Sequence, residues 1–160
     1  MTGVKTGFTD DAGRCFVGSA KRENMEIIGV LLNCGPMFED CERLFDISFE
    51  KYNLFEILEP YNYIKKHAVQ DGKEESVKVY TRKGFSYPLT LEEYNLLKIE
   101  YDMPEILKAP IQKEDIVGQV HIYLDEELLF SENIYAMEAV RSVNILENIK
   151  EIIKNWNVNS

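Results

Sequence analysis

The sequence has no surplus of positive charge and no long apolar run, and each absence excludes a class of protein. Lys and Arg number 18 against 28 Asp and Glu, giving a formal charge of −10, whereas a nucleic-acid partner would call for a basic surface. The longest apolar run, 27–32, is far too short to cross a bilayer, which takes about 20 residues. No basic or apolar leader opens the chain, so we predict no signal peptide in it.

Cysteine and histidine are also scarce, which argues against a disulfide framework or a metal site. The three cysteines, Cys15, Cys34 and Cys41, are an odd number without metal-ligand spacing, so at least one is unpaired. We interpret them as buried, reduced thiols. His67 and His121 are isolated in the sequence and are predicted to be structural residues with satisfied hydrogen bonds, not ligands.

The first third of the chain predicts strands followed by a helix. Residues 3–9 form a predicted strand, and 15–20 and 27–32 a hairpin around a polar tip. The second hairpin strand is apolar on both faces, so we expect it to be covered on both. After Gly35-Pro36, apolar residues recur at helical spacing over 38–52.

Beyond this helix the pattern changes to short strands. Residues 54–140 contain short alternating runs separated by turn signals such as Asp71-Gly72 and Lys83-Gly84, which indicates a small antiparallel β domain. Residues 141–160 contain an amphipathic helical stripe that ends near Trp156. The predicted boundaries are therefore 1–53, 54–140 and 141–160.

The last helix has two open interpretations. An amphipathic helix with a tryptophan near its end is suited to a membrane interface. Its polar face mixes both signs of charge, however, so charge does not add to membrane binding. The alternative is a helix that docks on the β domain or on a partner.

A short motif opens the chain and carries its clearest resemblance. Lys5-Thr6-Gly7 is followed by Ala12-Gly13, the two strands and the helix. This order resembles the end of the catalytic domain of serine-type D-alanyl-D-alanine carboxypeptidases, the low-molecular-mass penicillin-binding proteins. The resemblance implies an α+β fold: the remnant of a β-lactamase/transpeptidase-like sheet with one helix, then the β domain and the terminal amphipathic helix.

The resemblance also implies roles for four residues in binding a D-Ala-D-Ala peptide. The Thr6 hydroxyl would bond the terminal carboxylate and the Lys5 ammonium would add positive potential. Gly7 would let the substrate lie against the strand, and the Phe8 N–H would be an oxyanion donor. The family acts on peptidoglycan outside the cytoplasm, binds β-lactams and needs no metal or organic cofactor.

The sequence departs from the family pattern at two positions. Relatives commonly carry a basic residue near the start of the helix, where this chain has Met37. The segment 109–111 and then 117–118 resembles the family's C-terminal β domain, but Glu114 stands between them where relatives tend to have glycine. We therefore expect no substrate contact from the helix and an altered turn at Glu114.

The family's nucleophile motif, Ser-x-x-Lys, and its Ser-x-Asn motif lie upstream of Lys-Thr-Gly, and neither has a counterpart there in this chain. We reject three spacing matches downstream, at 48–51, 131–133 and 142–144, because they fall on the closing helix or the β domain. We therefore interpret the chain as a C-terminal piece of such an enzyme, inactive by itself and able to dimerise through strand edges. The alternative is a non-catalytic interaction or membrane-proximal module.

Overall fold

A computed structural model describes residues 2–143 and has the predicted α+β fold. Sheets dominate it, and two helices interrupt the strand order. Its strands are β1 Gly3–Thr9, β2 Gly13–Arg22, β3 Met25–Leu31, β4 Asn53–Leu58, β5 Tyr63–Gln70, β6 Ser76–Thr81, β7 Phe85–Leu89, β8 Leu97–Asp102, β9 Leu107–Lys108, β10 Ile116–Leu124 and β11 Glu127–Ala136, and its helices are α1 Met37–Lys51 and α2 Leu91–Asn95.

The described chain divides into two compact units. The first contains residues 2–57 together with 86–97, and the second contains 58–85 together with 98–143. The domain boundaries expected from the sequence stay a prediction.

The first unit contains an antiparallel sheet in the order β1-β2-β3, which confirms the predicted strand and hairpin. A tight turn joins β1 to β2, where Gly13 adopts φ +66° and the Thr9 hydroxyl accepts a hydrogen bond from the Ala12 N–H at 3.0 Å. A side chain at Gly13 would collide with that of Asn33, so this turn needs glycine.

Helix α1 covers one face of this sheet. Its buried Cys41 and Phe45 pack with Phe16 of β2 and Leu31 of β3. Gly29 permits the close approach, because a Cβ there would lie 3.1 Å from the Cys41 sulfur and 3.2 Å from the Phe45 ring.

The expectation that β3 is covered on both faces is wrong for the described residues. Ile28 is 68% exposed and Val30 is 59% exposed. Because successive side chains of a strand point to opposite faces, these two lie on the face away from α1. Both side chains thus stay more than half exposed within the described part of the chain.

The segment 86–97 contributes a short helix that the sequence analysis missed. Helix α2 begins with a capping box, in which the Thr90 hydroxyl accepts from the Glu93 N–H at 3.1 Å and the Glu93 carboxylate accepts from the Thr90 N–H at 2.8 Å. Strands β4 and β7 of the same region form a two-stranded sheet.

The second unit contains a six-stranded sheet in the order β8-β10-β11-β6-β5-β9. The pairs β10–β11, β11–β6 and β5–β6 are antiparallel, as predicted, whereas β9 joins β5 in parallel. One face of the sheet contributes to a core of ten buried residues: Val69, Val77, Val79, Leu107, Ala109, Ile111, Val120, Ile134, Ala136 and Val140.

Both histidines have structural hydrogen-bond partners, as predicted. His67 is buried, and its Nε2 lies 2.6 Å from the carbonyl oxygen of Pro104. His121 is half-buried, and its Nδ1 lies 2.7 Å from the hydroxyl of Ser131.

Glu114 adopts the backbone conformation that favours glycine. Its φ is +74°, in the left-handed region where a Cβ is costly. Its carboxylate accepts a hydrogen bond from the Arg82 guanidinium at 2.9 Å, and that guanidinium lies 3.9 Å from the centre of the Tyr135 ring. The turn therefore uses a backbone conformation that favours glycine although it carries a glutamate.

All three cysteines are free thiols, and Cys41 is fully buried while Cys15 and Cys34 are partly exposed. Burial raises the pKa of the Cys41 thiol. The pKa of Cys34 is raised chiefly by its hydrogen bond to the carboxylate of Asp40, at 3.2 Å.

The predicted amphipathic helix falls almost wholly outside the described residues, since 144–160 are not described. Neither helix of the described part combines the length and apolar character needed to cross a bilayer.

Candidate functional site

Strand β1 carries the four predicted site residues and lies at the edge of its sheet. It pairs with β2 on one side, and no other described strand pairs with it. Every residue of β1 is exposed. An edge strand of this kind presents unpaired backbone N–H and C=O groups, which an extended peptide can join by adding as a further strand.

Lys5 and Thr6 point to opposite faces of this edge. Lys5 is the Cα partner of Val17, and Thr6 that of the buried Phe16. The Lys5 ammonium donates a hydrogen bond to the carbonyl oxygen of Thr6. The Thr6 hydroxyl has no hydrogen-bond partner among residues 2–143, so it remains available to an external acceptor or donor.

Gly7 and Phe8 follow Thr6 along the edge of the sheet, and both are exposed. A Cβ built on Gly7 would meet no described atom within 4 Å, so packing within the described residues does not explain a glycine here. The Phe8 side chain is 67% exposed and opposes Arg14 across the β1–β2 pair. Both positions are therefore open to a ligand that lies along β1.

Strand β1 and its partner β2 each carry a cation without an acidic partner, Lys5 and Arg14. Neither Lys5 nor Arg14 forms an ion pair with another residue of the described chain, although the whole chain has a formal charge of −10. By contrast, Arg22 pairs with Asp46 at 2.5 Å and Arg43 with Asp40 at 3.3 Å. The positive charge at β1 and β2 is thus free to attract an anionic group.

Sequence reasoning assigned no role to Arg14. The sequence feature that could have identified Arg14 is the tight turn at 10–13, because such a turn brings Arg14 directly opposite Phe8.

The three rejected serine matches lie on helix α1 or in the second unit. Ser48 lies in the last turns of α1, where the backbone N–H groups serve the helix and are not free as oxyanion donors. The Lys51 ammonium lies 5.2 Å from the centre of the Tyr52 ring. Ser131 and Ser142 belong to the second unit, and the Ser131 hydroxyl forms a hydrogen bond with His121.

Metal ligands do not gather in the described part of the chain. Within residues 2–143 no three His, Cys, Asp or Glu side chains are arranged to hold an ion.

Two family models match this chain. The model for the penicillin-binding protein 5 C-terminal domain matches residues 49–142. The chain belongs to the penicillin-binding protein 5 C-terminal domain family. A second model, described as D-alanyl-D-alanine carboxypeptidase, matches residues 1–35, which include β1. The recognition made from Lys5-Thr6-Gly7 and its flanks is therefore confirmed.

Curated relatives carry the same enzyme name. The D-alanyl-D-alanine carboxypeptidase DacF of Bacillus subtilis is 27% identical over 167 residues, which cover 98% of this chain and 41% of the relative. DacA of Haemophilus influenzae is 28% identical over 151 residues, covering 91% and 38%. The chain thus spans about two fifths of the length of these relatives.

Solved structures of the family share the fold. Penicillin-binding protein 5 from Haemophilus influenzae matches with a TM-score of 0.62 and 26% identity, covering 87% of this chain and 43% of that one. The carboxypeptidase DacD from Francisella tularensis also has a TM-score of 0.62, at 24% identity, covering 89% and 37%.

Proposed function

We propose that this chain supplies the carboxylate-binding side of the substrate cleft of a serine D-Ala-D-Ala carboxypeptidase. Such an enzyme trims peptidoglycan stem peptides through an acyl-enzyme, and it works in the cell envelope. Thr6 bonds the terminal carboxylate, Lys5 adds positive potential, Gly7 leaves room for the peptide and the Phe8 N–H stabilises the oxyanion. Family membership supports the reaction, while the four roles follow from the motif.

The observation that carries the proposal is the exposed edge of β1. Its Thr6 hydroxyl has no partner among the described residues, and the space beside Gly7 is open. A substrate that pairs along this edge brings its terminal carboxylate to the Thr6 hydroxyl, while the Lys5 ammonium adds positive potential from the other face of the strand. The unpaired Arg14 adds further attraction for an acidic stem peptide.

A chain of these 160 residues binds through this clamp but does not form an acyl-enzyme. Acyl transfer needs a serine, a base and an oxyanion hole within reach of one carbonyl carbon. In the described part of the chain the serines that match family spacing lie on a helix or in the second unit. Loss of a catalytic serine costs on the order of 10⁶ in rate, so residual turnover is not expected.

Binding is tested by titrating the isotope-labelled chain with diacetyl-L-Lys-D-Ala-D-Ala and recording amide NMR shifts. We expect shifts centred on Thr6 and Phe8 that vanish in Thr6→Val and persist in Thr6→Ser, which keeps the hydroxyl. The same peptide with a C-terminal amide is the matched ligand control, and it should shift nothing. Equal shifts from the acid and the amide would contradict the clamp.

Acylation is tested separately with labelled penicillin and mass spectrometry of the intact chain. No covalent adduct is expected. An adduct on Ser48 or any other serine would show that the 160 residues contain a complete nucleophilic site.

A further inference from the structure

The second unit has a cleft of about 600 Å³ at the β8–β10 side of its sheet. No aliphatic side chain lines it: the lining residues are Glu100, Tyr101, Asp102, His121 and Tyr123. Aromatic faces beside carboxylates and an imidazole combine an apolar platform with hydrogen-bonding groups. The β1 edge that carries the proposed clamp belongs to the first unit, whereas the residues of the cleft belong to the second.

Strand β10 holds the cleft's two central rings in fixed positions. His121 and Tyr123 alternate with Val120 and Ile122, which are fully buried and anchor the strand to the core. The two rings lie 6.3 Å apart between centroids, at 48° to each other. The hydrogen bond to Ser131 at 2.7 Å orients the imidazole. A ligand therefore meets a preformed surface and has little side-chain ordering to overcome.

Polar side chains extend the same surface along β10 and β11. Gln119 lies two residues before His121, and its side-chain amide donates to that of Asn133 at 3.0 Å. The Cα partners Gln119–Asn133 and His121–Ser131 place these groups in successive rows on one face. This length suits an extended ligand with repeating polar units.

The charges around the cleft are close to balanced. The Lys98 ammonium lies 2.5 Å from the Glu100 carboxylate, and the hydrogen bond between them raises the pKa of Lys98. The Lys65 ammonium lies 5.6 Å from the centre of the Tyr101 ring, and the Asp102 carboxylate forms no ion pair with another described residue. A strongly anionic ligand is therefore not favoured here.

We propose that this cleft binds a neutral glycan chain. The apolar faces of sugar rings pack on Tyr123 and His121, while sugar hydroxyls donate to the Asp102 carboxylate and exchange hydrogen bonds with the neighbouring amides. The choice of an N-acetylated glycan rests on the proposed function, since peptidoglycan would be the polymer at hand. The binding itself needs no acyl chemistry and no residue of β1.

The test is calorimetric titration of the 160-residue chain with triacetylchitotriose, a neutral N-acetylated sugar. We expect saturable binding that Tyr123→Ala weakens about tenfold and Tyr123→Phe retains, because the ring and not the hydroxyl makes the stacking contact. The matched control is Tyr61→Ala, an exposed tyrosine of the same unit that lies outside the cleft. Amide NMR spectra establish that each variant is folded.

Three results would overturn the proposal: no saturable binding of the sugar, equal binding by wild type and Tyr123→Ala, or preferential, salt-sensitive binding of a lysine-rich peptide. Salt-independent binding of the sugar is expected, since the ligand carries no charge. Thr6→Val should leave the sugar affinity unchanged. Failure of the clamp and failure of the glycan site therefore give different results.

Discussion

The sheets of the two units follow the same alternation but expose opposite kinds of side chain. In the first unit, the face away from α1 presents Ile28 and Val30 to solvent. In the second, the outward face presents polar and aromatic groups such as Gln119 and His121. Large exposed aliphatic patches are uncommon on monomeric proteins. We infer that the first face is built to be covered and the second to remain in water, where it can bind a polar ligand.

The largest effects should come from the faces that are already covered. We expect Phe16→Ala to cost about 3–5 kcal/mol in the first unit and Ile134→Ala about 2–5 kcal/mol in the second. The outward neighbours Val17→Ala and Gln119→Ala should stay within about 0.5 kcal/mol. Denaturant unfolding, monitored by amide hydrogen exchange in each unit, measures these changes in the free energy of unfolding. A cost for Val17→Ala similar to that for Phe16→Ala would mean that the open face is covered after all.

A charge on the open face of β3 tests whether that face, in addition to the strand edges named in the sequence analysis, contributes to self-association. We expect Ile28→Lys to shift the wild-type monomer–dimer equilibrium toward monomer by about tenfold, since one buried isoleucine contributes about 1.5–3 kcal/mol. Gln119→Lys, on the outward face of the second sheet, is the matched control and should change nothing. Sedimentation velocity over a range of concentrations decides this, and a wild-type chain that stays monomeric would contradict the dimer.

The two units also use the left-handed backbone region differently, at Gly13 and at Glu114. Gly13→Ala should destabilise the first unit by more than about 1 kcal/mol, because the new side chain meets Asn33. At Glu114 we expect the same preference: the Gly variant should be about 1–2 kcal/mol more stable than the Ala variant, as glycine tolerates this φ. Both variants lose the contact with Arg82, so the difference in stability between Glu114→Gly and Glu114→Ala reports the backbone effect alone. Equal stabilities would show that the turn relaxes.

The smallest effect is a pH dependence of the first unit. Hydrogen bonds from Thr2 and Ser19 lower the pKa of Glu26, and those from Thr90 lower the pKa of Glu93. A lowered pKa means that folding favours the ionised form, so this stability is present above the usual value of 4.5 and is lost as the pH falls through the folded-state value. Exchange rates of first-unit amides between pH 3 and 6 (roughly the range of carboxyl titration) should show it. Glu26→Gln with Glu93→Gln should flatten it, and an unchanged profile in that double variant would contradict the assignment.

Most of the regular structure followed from local patterns in the sequence. The strand at 3–9, the hairpin and helix α1 were predicted, because alternation and helical spacing act over a few residues. Helix α2 was missed although Thr90 and Glu93 have capping-box spacing, since five residues are too few for a periodic signal. The parallel pairing of β9 with β5 had no local signal at all.

The candidate sites divide in the same way. Lys5, Thr6, Gly7 and Phe8 are adjacent in the chain, so the motif was sufficient to name them. The cleft on the second sheet joins β8 to β10, and its Glu100 and His121 are separated by strand β9 and two loops. Nothing in the sequence near either residue indicates the other.

The amino-acid sequence by itself determined which segments become strands or helices and which family the chain belongs to, because turn chemistry, periodicity and a contiguous motif are local properties. Only the tertiary structure decided that one face of β3 stays open and that an aromatic cleft forms beside β8. These features depend on strand register and on packing between segments distant in the chain, which no window of neighbouring residues contains.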